Sequence, residues 1–241
     1  MELAPLPPPP PPPPIPLEFS GIQTAAPLPA PLDRLRAASP EVQSVAQWVR
    51  TAHDNAGLPF LVIDKVNAQA YAFNPVAQLE ATAPILLGMA RGDVLLVPND
   101  APMSAMPPQK RITPAGRYLS WIVTDSHGKQ VLSIDYNAAI SLHIVVKGTP
   151  AQHRAERLAS ITSDDNRVSF GCINVPPGFF TTIVGPDFSK EKGIVYVLPE
   201  TSSAAQLFGF QPAAPAPAAQ QTLPMGPSSS VTGVPQVPGS L

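Results

Sequence analysis

The sequence predicts a mainly β domain, a sandwich or a curled sheet, led by one amphipathic helix and carrying short helices in its connections. Three observations point there. Seven short apolar runs separated by turn formers read as strands, one capped run has helical periodicity, and proline crowds both ends of the chain. Of 34 prolines, 14 fall within residues 1–40 and seven within 210–241, which confines the core-forming part to roughly residues 40–205.

In chain order, residues 1–38 form a Pro-rich arm. Its eight consecutive prolines, Pro7 to Pro14, have a fixed φ and no amide donors, so they predict a polyproline II spacer. Ser39-Pro40-Glu41 is a helix start, with a hydroxyl cap, proline at the first helical position and an acid in the first turn. Val42, Val45, Ala46, Val49 and Ala52 follow at helical spacing until Gly57, giving a leading helix over 39–57. The period then changes. Residues 61–65, 69–73, 83–88, 117–125, 130–136, 140–146 and 193–199 are strand-like, with Asn74-Pro75 and the 126–129 turn as punctuation. Pro176-Pro177 before GFFTTIV opens a short helix. A domain over 58–205 and a disordered Pro/Ala-rich tail over 206–241 complete the plan.

Composition narrows the function. Fifteen basic against 17 acidic residues, with no basic run, give no electrostatic footprint for nucleic acid. No apolar stretch reaches the length of a transmembrane helix, and no basic-then-apolar leader precedes the arm. One cysteine excludes an internal disulfide, and four scattered histidines without paired cysteines argue against a metal site, so no metal or cofactor is expected.

That one cysteine, Cys172, follows Gly171 in VSFGCINVP. A free thiol is only a few per cent ionised at neutral pH; depressing its pKa by two units takes roughly 2.7 kcal/mol of differential stabilisation. An imidazolium, a helix N-terminus or oriented backbone N–H groups supply it. On these features alone, a buried thiol and a nucleophile are equally admissible. Among the histidines, His53 ends the leading helix and His127 sits in a hairpin turn. His143 shares one strand face with Ser141 and Val145, and His153 lies in the polar segment that follows.

Thr113-Pro114-Ala115-Gly116-Arg117-Tyr118, then a strand bearing His143, then Ser169-Phe170-Gly171-Cys172-Ile173-Asn174 occur in that order. Together they resemble the catalytic domain of the L,D-transpeptidase (YkuD-type) family over roughly residues 58–200. Members of that family show a TPxG turn, a strand histidine, and a Ser/Thr-His-Gly-Cys motif followed by an apolar residue and Arg or Asn.

The resemblance implies an L,D-transpeptidase-like β-sandwich acting on peptidoglycan stem peptides in the periplasm or cell envelope. It makes Cys172 the nucleophile and His143 the general base, with Gly171 and Cys172 amides as oxyanion donors. Ser169 and Asn174 then shape the loop and the substrate contacts. An amine of a second stem or of a wall-anchored protein resolves the acyl-enzyme; water as acceptor gives an L,D-carboxypeptidase, and loss of chemistry a silent wall-binding module. Two departures stand out. Phe170 occupies the position where most members have histidine, and the segment from Lys147 to Arg167 lengthens the gap between base and nucleophile. His153 is nearer the usual spacing and is the rival base; His143 is preferred because strands hold a base more rigidly than loops. Arg154, Arg157 and Arg167 in this segment are candidate readers of the stem's carboxylates, alongside surface ion pairing with Glu156, Asp164 and Asp165.

Overall fold

A computed structural model describes residues 31–95 and 105–212. Most of the Pro-rich arm, part of the 99–111 loop and most of the tail lie outside the described residues.

A short helix α1 (Pro31–Arg36) precedes the leading helix α2 (Pro40–Ala52). Ser39 Oγ accepts the Val42 N–H as the cap, and α2 stops at His53, which takes the left-handed conformation four residues before Gly57. Val42, Val45, Ala46 and Val49 are its buried stripe.

Among the described residues ten strands follow: β1 (Phe60–Asp64), β2 (Gln69–Phe73), β3 (Leu79–Pro84), β4 (Leu87–Gly88), β5 (Gly116–Thr124), β6 (Gln130–Asp135), β7 (Ile140–Ile144), β8 (Arg167–Ser169), β9 (Ile173–Val175) and β10 (Gly193–Val197). Eight form one sheet in the order β3-β2-β1-β10-β5-β6-β7-β9, and β4 pairs with β8. Leu86 and Asn174 exchange both backbone hydrogen bonds at 2.9 Å. The edge strand β9 therefore meets the chain just beyond the opposite edge strand β3, and the sheet curls almost into a barrel.

The strands at the centre of the sheet are buried on both faces, which explains their unbroken apolar runs. From β1 and β10, Leu61, Ile63, Val195 and Val197 join the interior cluster, with Leu132, Leu142, Ile173 and Phe180. Their alternates Phe60, Val62, Ile194 and Tyr196 face outward onto α2, Phe210 and the helix α6 (Ala204–Phe208). The leading helix thus covers the sheet's outer face, and α6 crosses the boundary at 205 that composition suggested.

Between β7 and β8 the polar segment folds into helix α3 (Arg154–Ala159). After β9 a continuous helical run comprises α4 (Pro177–Phe179), a π-wound stretch (Phe180–Val184) and α5 (Gly185–Lys190). Phe179, Phe180, Val184 and Phe188 seal the interior. The predicted strand at 83–88 is in fact the end of β3 and the whole of β4, separated by Ile85 and by Leu86, which bridges to Asn174 instead.

Candidate active site

The register of β7 against β9 builds the site. These strands are parallel, with Leu142 opposite Ile173 and His143 opposite Asn174. Ile140 and Leu142 point into the core, so Ser141 and His143 emerge on the other face, as strand alternation requires. Cys172, one residue before β9, then comes level with Ser141. Ser141 Oγ donates to Cys172 Sγ at 3.7 Å, and the thiol donates to the Ala139 carbonyl at 3.7 Å. His143 is the other group whose interaction favours the ionised thiol. Its Nδ1 lies 2.8 Å from the Ile144 carbonyl. A carbonyl only accepts, so Nδ1 carries a proton and Nε2 is the basic nitrogen.

Both members of this pair are electrostatically tuned. Burial is the largest single influence on each and works against the charged forms. The hydrogen bond to His143, with the N–H and O–H of Ser141, outweighs it at sulfur and holds the thiol below its ordinary value. The bond to Cys172 and the Ile144 carbonyl outweigh burial at the imidazole, which is held above its ordinary value despite the charge of Arg154. The two shifts bring the thiol and the imidazole closer together in proton affinity than in their free forms.

The loop before Cys172 is held by three hydroxyl and carbonyl contacts. Ser169 Oγ donates to the Cys172 carbonyl at 2.6 Å and accepts the Gly171 N–H at 3.0 Å. Thr113 Oγ1 donates to the Gly171 carbonyl at 2.8 Å and accepts the Gly88 N–H at 2.9 Å. Gly171 has φ 135°, and a Cβ there would stand 2.8 Å from both the Ile112 carbonyl oxygen and Ile140 Cδ1. Only glycine fits this crossing. The TPAG turn and the GC motif, 58 residues apart, thus form one junction through Thr113. Because the Gly171 amide is taken by Ser169, it serves the loop and is not a free oxyanion donor. The helix after Pro176 is separated from the thiol in sequence by β9.

A cleft of about 1100 Å³ opens over this face, lined by Ser141, His143, Val145, Lys129, Lys147 and Phe180 among others. Phe170 carries the Arg111 guanidinium over its ring, 3.7 Å from the centroid. His153 is exposed beside Glu156, with their nearest atoms 3.9 Å apart.

The arginine candidates fall elsewhere. Arg157 donates to the Gln152 and Asp165 carbonyls. Arg167 is buried against Glu200, at 2.6 and 3.1 Å, and donates to the Lys65 carbonyl. Neither lines the cleft; each guanidinium is committed to the scaffold. Arg154 instead reaches the site, donating from Nη1 to Asn174 Oδ1 at 2.7 Å, while Asn174 Nδ2 lies 3.4 Å from His143 Nε2. Sequence reasoning did not place Ser141 or Thr113 in contact with the site, and it offered Arg154 as a reader of substrate carboxylates, not as a partner of Asn174. The alternation of β7 was the only signal for Ser141, and the TPAG motif the only one for Thr113.

Fold and site together define a curled β domain with a cysteine–histidine pair whose histidine lines a cleft. No family model and no curated protein matches the chain. Among solved structures it is similar to the LD transpeptidase LdtMt1 in complex with imipenem, at 13% identity over 58% of each chain with a TM-score of 0.35. It is also similar to the catalytic domain from E. faecium L,D-transpeptidase, at 16% identity over 58% of this chain and 95% of that one, with a TM-score of 0.33. The chain thus spans 58% of the length of the first of these. Among the described residues, no helix is long and apolar enough to cross a membrane.

Proposed function

We propose that this protein is a cysteine acyltransferase of the L,D-transpeptidase type, working on peptidoglycan stem peptides in the bacterial cell envelope. The observation that carries this reading is the tuned pair of Cys172 and His143: the thiol sits in a loop fixed by the TPAG turn, against Ser141, and both Ser141 and His143 line a peptide-sized cleft.

The chemistry follows from the geometry. His143 takes the thiol proton, and the Cys172 thiolate attacks the carbonyl of the L-centre that precedes a terminal D-residue. As the tetrahedral intermediate collapses, its C–N bond breaks and His143 protonates the departing amine. The thioester remains on Cys172. An acceptor amine then gives a proton to His143 as it attacks, the C–S bond breaks, and the thiol is restored. The Cys172 N–H is the donor of this loop left for the developing oxyanion, since that of Gly171 is engaged.

Incubation with muropeptides, followed by mass spectrometry of the products, tests this. Cross-linked dimers absent with Cys172→Ala support transpeptidation. Free D-Ala without dimers assigns water as acceptor and makes the protein a carboxypeptidase. No covalent adduct on Cys172 after carbapenem exposure, together with no product, overturns the enzyme reading in favour of a wall-binding module.

A further inference from the structure

The segment between base and nucleophile brings a nearly buried guanidinium to the catalytic pair. Arg154 is 9% exposed, and its hydrogen-bond partners among the described residues are both neutral: Gln152 Oε1 at 2.9 Å and Asn174 Oδ1 at 2.7 Å. Burying a cation against neutral acceptors is costly. The turn before it is shaped to admit the side chain. Gly148 has φ 62°, and a Cβ there would run into Gln152 Oε1 and stand 2.7 Å from Arg154 Nε.

We propose that Arg154 is a positioning residue for the base: by donating to Asn174 Oδ1 it turns the amide so that Nδ2 faces His143 Nε2. This holds the imidazole as the Nδ1–H tautomer, with Nε2 as the one ring nitrogen able to take the thiol proton. Each orientation is forced in turn. A guanidinium has no acceptor, so Oδ1 must face it; the amide then presents N–H donors to Nε2, and the Ile144 carbonyl requires a proton on Nδ1. A protonated Nε2 meets a donor in Asn174, so the amide favours the neutral imidazole, and the Arg154 charge acts in the same direction. The resting site keeps a base ready for the thiol in the first step and for the acceptor amine in the second. The other charged groups near His143 are Cys172 itself and, around the cleft, Asp125, His127, Lys129 and Lys147, of which all but the half-buried Asp125 are exposed.

This rests on Cys172 and His143 as a working pair, and its test needs no peptidoglycan substrate. Alkylation of Cys172 by iodoacetamide, followed across pH in the full chain, gives the midpoint of thiolate formation. Arg154→Met frees the Asn174 amide to turn its oxygen toward Nε2–H, so the midpoint moves down by about half a pH unit, roughly a threefold change in the equilibrium. Arg154→Lys keeps charge and donor and restores it. An unchanged midpoint in a folded Arg154→Met protein overturns the proposal and makes the arginine a scaffold contact only. The unmutated protein supplies a second test. Nitrogen NMR of its histidines at neutral pH, with His143→Gln for assignment, shows Nδ1 protonated and Nε2 bare; the opposite tautomer overturns the proposal. A midpoint at that of an ordinary free thiol in the unmutated protein overturns the pair itself, and with it the proposed function.

Discussion

Two residues, His143 and Ser141, oppose burial at the sulfur of Cys172, and removing each has a separable effect. His143→Ala deletes the imidazole and leaves burial unopposed except by Ser141. The alkylation midpoint then rises above that of a free thiol, because burial disfavours the thiolate. Ser141→Ala removes one hydroxyl donor and raises the midpoint by a smaller step, with the cleft otherwise intact. Gly171→Ala acts differently. The φ of 135° and two contacts at 2.8 Å leave no place for a methyl group, so the loop shifts and acylation falls at least tenfold at every pH. A wild-type rate of carbapenem acylation in Gly171→Ala is incompatible with this geometry. Phe170, where the family resemblance breaks, holds Arg111 over its ring.

At the scale of elements, a buried ionic cluster ties the end of β1, the TPAG turn and the start of β8 together. Lys65, fully buried just beyond β1, donates to the Gly92 and Thr113 carbonyls at 2.6 and 3.0 Å and to Asp93 at 2.9 Å. Glu200 accepts from Arg167 at the start of β8, and Asp93 accepts the N–H groups of Glu200 and Thr201. Lys65→Met leaves the facing carboxylates short of a cation and costs about 3–5 kcal/mol, readable as a lower denaturant midpoint. Burial alone would raise the Asp93 carboxyl, but the Thr201 hydroxyl, Lys65 and the two backbone amides bring it down to about 2. Its folded value is thus below its unfolded one. The stability it confers is present above about pH 4 and is lost as pH falls through 2. Asp93→Asn flattens this acid limb of the stability curve; a limb of unchanged steepness refutes the assignment.

This cluster also marks how far the sequence is legible. The leading helix, with its Ser39 cap, and most of the longer strands follow from local period and turn chemistry, and the order of TPAG, His143 and GC pointed to a thiol–imidazole site. Strands β8 and β9 are three residues each, too short to show a period, and β9 runs from Ile173 to Val175 with every residue buried. Arg167 looked like a carboxylate reader because its partner, Glu200, is 33 residues away and joined only by the fold. Arg154 and Arg157 are equally polar in sequence, yet α3 sends one to Asn174 and the other to the Asp165 carbonyl. Composition identifies such residue types; long-range packing assigns their partners.

Across the whole molecule, the curled sheet separates stability from chemistry. Its interior and the helical run after β9 enclose one core, while α2, α6 and Phe210 cover the outer face of β1 and β10. On that outer face Trp48 stacks on Phe210, ring centroids 4.7 Å apart, and meets Tyr196 edge-on at 5.9 Å. In sheet order, β10 is separated from β7 by β5 and β6, so this aromatic layer lies well away from the His143–Asn174 register. Phe210 is 8% exposed, and Phe210→Ala opens a cavity costing about 3 kcal/mol, which for a domain of this size lowers Tm by roughly 6–12 °C. Distant sites without shared partners are close to additive, so the alkylation midpoint of Cys172 stays where it is. The two readouts, melting and thiol titration, therefore part company in Phe210→Ala. A shifted thiol midpoint in folded Phe210→Ala would show that the outer layer sets the geometry of the β7–β9 pair, and that the sheet transmits strain across its full width.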